Sequence, residues 1–405
     1  MNPTSWKLNR RGFVLAGAAA MSTAALMPRT LWAKDAVKLG LIMIDAGPMA
    51  AYYESHNRGT KLAVEHVNAN GGVNGAPLEI VEVTHPGTPE AAVQAATRLV
   101  QREGVNIMTG MFTSSIALAL GARAASLKAV VIDPISQANK QTGENCRKNY
   151  FRVSTADGII MGAYDSFLSG SGAKSWDILA VDYTLGQDAA AEFEKLLKKH
   201  GKTLGKVLFA PFGTADFGTY ISQLSESPAD GLFVTIIGSD AINLAKQQEQ
   251  FGFFKKYGTV LGNGFATPAT LPAQAGGVVG VNQSLAYVPA IQNDANARFV
   301  AAFKEKFGML PDYSAADQYL AIVLAAAAMN RAGSSKTDQL IAAMEGLKAD
   351  TIVGPVEWRA GDHQLIRPVS LNKVVMGTDG KPGYELIKLF NGQDIIPPVN
   401  PACSL

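Results

Sequence analysis

The sequence predicts an α/β protein built as two doubly wound parallel-sheet lobes, and three observations carry that reading. Strand-like and helix-like segments alternate along the chain, the pattern of a parallel sheet covered by helices on both faces. The chain has 405 residues, and about 370 remain after an amino-terminal export pattern, a length that exceeds one ordinary core and suits two. The alternating series also runs twice, with no long linker between the runs.

Residues 1–33 read as a targeting segment rather than as fold. Asn9-Arg10-Arg11-Gly12-Phe13-Val14-Leu15 is a twin-arginine export pattern, followed by an Ala/Gly-rich apolar stretch and a small-residue cleavage site after Ala33. A membrane anchor is the competing reading, but the apolar run is short and rich in small residues. This segment holds Lys7, Arg10, Arg11 and Arg29 and no acid, so its removal turns the formal net charge from +2 to −2. A near-neutral mature chain gives no case for nucleic acid or an anionic membrane surface as partner. The most apolar later run, Leu320–Met329, is too short to span a bilayer and reads as a buried helix.

The first lobe opens with Val37–Ile44, a short apolar run suited to a buried strand. The turn Asp45-Ala46-Gly47-Pro48 leads into a helix whose Tyr52, His56, Gly59, Ala63 and Val67 share one face. Asn70-Gly71-Gly72 closes it. Leu78–Thr84, Val105–Gly110 and Ala129–Asp133 follow as strands, with helices at Pro89–Glu103 and Ser114–Ser126. The second series places strands at Trp176–Val181, Lys206–Phe212, Gly231–Ile236 and Thr259–Asn263. Its helices are Gln187–His200, Phe217–Glu226 and Ala241–Phe251. Val278–Val288 is β-rich, and helices at Ala295–Phe307, Ala315–Ala332 and Thr337–Leu347 return the chain to the first lobe. A last passage to the second lobe begins near Glu357-Trp358-Arg359.

Enzyme motifs are missing: no GxSxG, no GxxxxGK[ST], no GxGxxG after a strand, no HExxH. The five histidines, His56, His66, His85, His200 and His363, lack metal-ligand spacing. The sharpest positive signal is Gly110-Met111-Phe112-Thr113-Ser114-Ser115, which ends a strand and opens a helix. There Ser114 offers a hydroxyl beside outward-pointing amides, a setting for a carboxylate, or else it only caps the helix. Gly238-Ser239-Asp240 opens another helix and presents either amides and a carboxylate or a simple cap.

The run from GLIMIDAGP through LAVEHVNANGGVNGAPLEIV resembles the first βαβ unit of the periplasmic solute-binding proteins that serve branched-chain-amino-acid-type ABC transporters. GMFTSS, Gly213–Leu232 and SAADQY at Ser314–Tyr319 extend the likeness over essentially the whole mature chain. The resemblance implies a type I, leucine-binding-protein-like fold with two lobes joined by a three-strand hinge. Lobe one then comprises residues 34–154 plus 286–366, lobe two 155–285 plus 367–390, and a tail 391–405. It implies a periplasmic, monomeric, non-enzymatic protein with no cofactor and no metal, which closes on a small carboxylate and delivers it to permease subunits. A ligand-sensing role in a signalling system is the alternative.

Carried over residue by residue, Ser114 with Ser115 holds the ligand carboxylate, and Ile135, Ser136 and Gln137 supply a carbonyl and side-chain polar groups. Gln137 stands where amino-acid binders often have threonine. Tyr52 covers the ligand. In Asp182-Tyr183-Thr184-Leu185-Gly186 the family's aromatic is replaced by Leu185, so Tyr183 becomes the facing wall. Gly238, Ser239, Asp240, Asn263, Phe265 and Tyr287 complete the expected pocket. Amino-acid binders of the family place a glutamate where this chain has Gly264, so either Asp240 or Asp45 pairs with a ligand ammonium, or the ligand has none. The second option makes it an aromatic or other carboxylate without an α-amino group; a branched-chain or other amino acid is the alternative. Cys146 and Cys403, an even pair in an oxidising compartment, suggest a disulfide that pins the tail, as in a subgroup with both cysteines; free or intermolecular thiols are the other possibility.

Overall fold

A computed structural model describes residues 34–405. The export signal expected over residues 1–33, with its cleavage site, lies outside the described residues. The chain first builds β1 (Val37–Ile44), α1 (Tyr53–Ala69), β2 (Leu78–His85), α2 (Pro89–Glu103), β3 (Ile107–Gly110), α3 (Ser114–Ala124), β4 (Val130–Asp133) and β5 (Tyr150–Arg152). These strands form one parallel sheet in the order β2-β1-β3-β4-β5. Local signals set the boundaries. Thr88 caps α2 by accepting from the amide of Ala91 at 3.3 Å, and Gly104 ends it in the left-handed conformation.

The next stretch builds α4 (Asp157–Gly170), β6 (Ser175–Val181), α5 (Thr184–Lys199), β7 (Thr203–Ala210), α6 (Gly218–Glu226), β8 (Gly231–Thr235), α7 (Gly238–Phe251), β9 (Thr259–Gly262), α8 (Leu271–Gln274) and β10 (Asn282–Leu285). The chain then returns to the first sheet with α9 (Asp294–Phe307), α10 (Tyr313–Ala332) and α11 (Thr337–Met344). A small antiparallel sheet follows: β11 (Lys348–Thr351), β12 (Gly354–Trp358) and β13 (Leu365–Ile366). It ends with β14 (Val369–Met376), β15 (Pro382–Phe390) and α12 (Gly392–Ile395).

The second large sheet has seven strands in the order β15-β14-β10-β9-β8-β6-β7. It is mixed rather than wholly parallel, because β14 runs antiparallel to β10 and β15 antiparallel to β14. The sequence reading names neither this hairpin nor α4. It starts the last passage between lobes near Glu357–Arg359 while bounding lobe one at 366; β12 is the middle strand of the small sheet, and the chain stays with the first lobe until Ile366. Each large sheet carries apolar clusters on both faces. The largest joins β1 and β4 to α10, whose thirteen buried residues leave it little polar surface. No helix among the described residues is long and apolar enough to cross a membrane.

The backbone passes between the two large sheets three times, after β5, after β10 and after β13. A single arginine touches all three crossings. Arg367, on the third, donates to the carbonyls of Val153 (3.2 Å) and Ala286 (2.7 Å) and pairs with Asp317 of α10 at 2.7 Å. Cys146 and Cys403 are bonded, with their Cα atoms 5.5 Å apart.

Candidate functional site

The cleft lies between the carboxyl ends of the parallel strands of the two large sheets, where an open α/β sheet presents its loops. On the lobe-one side, β3 ends at Gly110 with φ 147°. A Cβ there would run into the carbonyl of Ile42 on β1, so only glycine allows the strand to turn this close to its neighbour. The turn delivers α3 with Thr113, not Ser114, as its cap: the Thr113 hydroxyl accepts from the amide of Ile116 at 3.4 Å. Ser114 is therefore not spent on capping. Its buried hydroxyl accepts from the amide of Ala138 at 3.4 Å, and its own proton has no acceptor among the described residues. Ser115 is exposed, its hydroxyl 3.1 Å from that of Thr113.

The turn after β4 is organised by Asp133. Its carboxylate accepts from the amides of Ile135 and Ser136, both at 3.0 Å, and from the hydroxyls of Ser136 and Tyr150. Burial pushes this carboxyl up in pKa against the pull of those donors. The Ser136 hydroxyl is thus engaged within the turn. Gln137 is half-buried; its carbonyl accepts from the amide of Asp157 at 2.8 Å, and its carboxamide has no partner among the described residues.

Tyr52 ends a 3-10 turn (Pro48–Tyr52) just ahead of α1 and is buried. Its hydroxyl lies 3.4 Å from that of Thr267 in lobe two, and its ring meets Tyr313 edge-on at 6.3 Å. Beside the hinge, Asn139 bonds to Asp188 (3.3 Å) and Glu192 (3.2 Å) of α5, so the lobes touch on both sides of the cleft. Across from Tyr52, Tyr183 precedes α5, half-buried and tilted against Phe212 at 5.5 Å. Burial raises the Tyr183 phenol, and Asp157 and Tyr52 are near enough to add to the shift. Ser114 is thus bonded to the residue that follows Gln137, and Tyr52 and Tyr183 stand near one another across the lobes.

The other expected pocket residues lie elsewhere. Leu185 turns into the lobe-two core beside Val181 and Phe217. Phe265 is wholly buried in that core, edge-on to Phe254 at 5.7 Å, and Tyr287 is wholly buried in the lobe-one core, bonded to Asn296 at 2.8 Å. Both aromatics pack because the chain around them is interior, which their composition could not reveal. Asp240 is occupied too. It accepts from the amides of Gly213 (2.7 Å) and Thr214 (3.2 Å) and from the exposed Ser239, and so ties a loop to the start of α7, where Gly238 sits at the first position. Asp45 is exposed at the end of β1. Neither acid stands as a buried partner for an ammonium.

Asn263 and a residue absent from the sequence reading, Asp157, form the buried polar centre. Asn263 donates to Asp157 at 3.0 Å, and both side chains are almost wholly buried. Burial pushes the Asp157 carboxyl up to about 8, with Asn263 and Arg152 drawing it down and Asp188 and Glu192 adding to the rise. In the sequence Asp157 looks like any acid at the start of an apolar helix; only its place at the crossing from β5 sets it apart. Gly264 has φ 67°, and a Cβ there would come within 2.9 Å of Ile237 Cγ2. The backbone thus favours glycine at 264, which accounts for the residue and leaves no carboxylate at that position. Among the described residues no group of three or more His, Cys, Asp or Glu is placed to hold a metal.

The sequence profile of the periplasmic binding protein family matches residues 36–381. An amino acid binding protein of Pseudomonas aeruginosa is 26% identical over 373 residues, covering 89% of this chain and 95% of that protein. Leu/Ile/Val-binding protein homolog 7 of Brucella suis is 25% identical, over 72% of this chain and 76% of that protein. Among solved structures, a solute-binding protein of Rhodopseudomonas palustris BisB5 in complex with 3,4-dihydroxybenzoic acid superposes with a TM-score of 0.82 at 24% identity, covering 89% of this chain and 98% of that chain. A leucine-, isoleucine-, valine-, threonine- and alanine-binding protein of Brucella ovis, in its closed conformation, gives 0.82 at 21%, covering 92% and 99%. The arrangement of lobes, crossings and cleft together with the family match makes the chain a member of the periplasmic binding protein family, an extracytoplasmic, non-catalytic solute-binding protein of the type I, leucine-binding-protein-like ABC-transporter kind.

Proposed function

We propose that this protein captures a small carboxylate, an amino acid in the first instance, between its lobes and hands it to the permease of an ABC importer. The observation that carries the reading is Ser114: a buried hydroxyl at the first turn of α3, released from capping by Thr113, with its proton unclaimed. A ligand carboxylate would accept from that hydroxyl and from Gln137, with Tyr52 and Tyr183 covering it from either lobe. Differential affinity for the closed form drives closure, and the closed shape is what a permease would recognise. Of the two ligand classes left open by the sequence, the amino acids gain support from the relatives' names. The argument for an acid without an amino group rests on the absence of a carboxylate at Gly264, which the positive φ there accounts for and does not fill.

A thermal-shift screen of the mature protein against amino acids and their desamino counterparts tests the reading. A ligand at 100 times its Kd stabilises by about 2.7 kcal/mol. No shift with any carboxylate sinks it. For whichever acid binds, Ser114→Ala is expected to raise Kd about 10- to 100-fold, the worth of a hydrogen bond to a charged group; an unchanged Kd by calorimetry removes Ser114 from the site.

We also propose export by the twin-arginine route with cleavage near Ala33, on the pattern around Arg10 and Arg11. The Arg10→Lys/Arg11→Lys double variant is expected to stay uncleaved in the cytoplasm, as read by fractionation and intact mass. Normal export of that variant refutes this route.

A further inference from the structure

We propose that this protein pairs with a second copy of itself along the open edge of β15, forming a closed two-fold dimer. β15 is the terminal strand of the seven-stranded sheet, so its outer backbone groups have no strand partner among the described residues. Every residue from Glu385 to Leu389 is exposed, and the apolar ones are Leu386 at 37%, Ile387 at 49% and Leu389 at 42%. An open edge carrying apolar side chains is a template for another strand.

The register of β15 against β14 says which strand fits. Asn372 lies opposite Leu386 and Leu371 opposite Lys388, so Ile387 is the extra residue of a bulge and Leu386-Ile387 fill one place on the ladder. Counted that way, Tyr384, Leu386 and Leu389 share one face of the sheet, and Glu385 and Lys388 share the other. A second copy running antiparallel, with the two-fold axis at the bulge, sets Glu385 of each copy opposite Lys388 of the other. On the opposite face the two Leu386 side chains meet at the axis, with Tyr384 against Leu389 on either side of it. One pairing thus matches the charges and the apolar stripe together, and the same patch serves both copies. Within one copy Lys388 Nζ lies 3.5 Å from Ser166 Oγ and 4.6 Å from the centre of the Phe390 ring, so its charge meets no carboxylate there.

The sheet's other edge lacks this complementarity. β7 exposes Val207 at 37% and Phe209 at 38%, but Lys206 is its only charged residue. Self-pairing there leaves two lysines unmatched, which is how an edge lysine guards a sheet. On β15 the guarding lysine is neutralised by Glu385 of the other copy. β15 lies at the side of lobe two, not at the carboxyl ends of its parallel strands, so the pairing joins the two seven-stranded sheets and leaves the cleft loops uncovered.

Sedimentation equilibrium of residues 34–405 over a concentration series tests the pairing. The expected result is a reversible monomer–dimer equilibrium. Leu386→Lys, Glu385→Lys and Lys388→Glu are each expected to weaken the dimer about 10-fold or more; either charge variant puts like charges at both symmetry-related places. All three positions are exposed, so the fold is retained, which a thermal melt checks. An equimolar mixture of Glu385→Lys and Lys388→Glu chains is expected to recover dimers of wild-type strength, because the mixed pair restores opposite charges at both places. Wild type that stays monomeric at every concentration overturns the proposal, as does a dimer that all three variants leave unchanged. A mixture no tighter than its components overturns the register. Open-ended filaments overturn the closed dimer, and a dimer lost in Val207→Lys but kept in Glu385→Lys places the contact on β7 and overturns it too.

Discussion

Arg367→Met is expected to lower the stability of the protein by about 3–5 kcal/mol, the cost of removing one partner from a buried ion pair. Arg367 and Asp317 are both buried to within 2% of full, and their 2.7 Å contact leaves no room for water to take over. The variant strands the Asp317 carboxylate and, with it, the carbonyls of Val153 and Ala286 on the other two crossings. Methionine fills part of the volume and satisfies none of these groups. The described residues hold one tryptophan in each lobe, Trp176 and Trp358, so urea unfolding of residues 34–405 followed by fluorescence reads both lobes. Arg367→Met/Asp317→Leu removes both charges and is expected to regain part of the loss. A loss below about 1 kcal/mol in the single variant would mean that the arginine does not hold the crossings together.

Cys403→Ser is expected to cost about 2–5 kcal/mol under oxidising conditions, and the same loss should follow reduction of the wild type. The bond closes a loop of 257 residues, which is where the chain-entropy account gives its largest stabilisation. The tail it secures leaves β15 in lobe two and lays Pro397 against Gly158 of α4. It then crosses to lobe one, where Arg359 donates to the carbonyl of Pro397 at 2.7 Å and Val399 sits over Gly361. Freeing it exposes this path as well as releasing the loop. Denaturant midpoints measured with and without a reducing agent check the value. Equal midpoints for oxidised and reduced protein would show that the tail holds by packing alone.

Much of the architecture was legible because it is written in local pattern. The alternation of short apolar runs with helix-period segments predicts β1 to β4 and their helices. The turn GMFTSS reads correctly as a strand end opening a helix. The β14–β15 hairpin was not legible, since an antiparallel addition to a parallel sheet is a matter of long-range pairing and not of local period. For the candidate site the division is sharper. Ser114, Gln137 and Tyr183 sit at strand-end turns whose position the sequence announces, whereas Tyr52, read as part of the first helix, ends a 3-10 turn ahead of it. Asp240, Phe265 and Tyr287 have the right chemistry and the wrong surroundings, because a side chain's partners are chosen by chain segments far away in sequence.

The sequence by itself determined the α/β class, the two lobes, the export pattern and the cysteine pair, all of which follow from composition, spacing and period. Tertiary structure alone decided the surroundings of each acid. Asp45 is left in solvent, Asp240 is taken by two loop amides, and Asp157 is buried against Asn263 with one oxygen unpaired among the described residues. Burial and hydrogen bonding set the chemistry of a carboxylate, and both are properties of what packs around it.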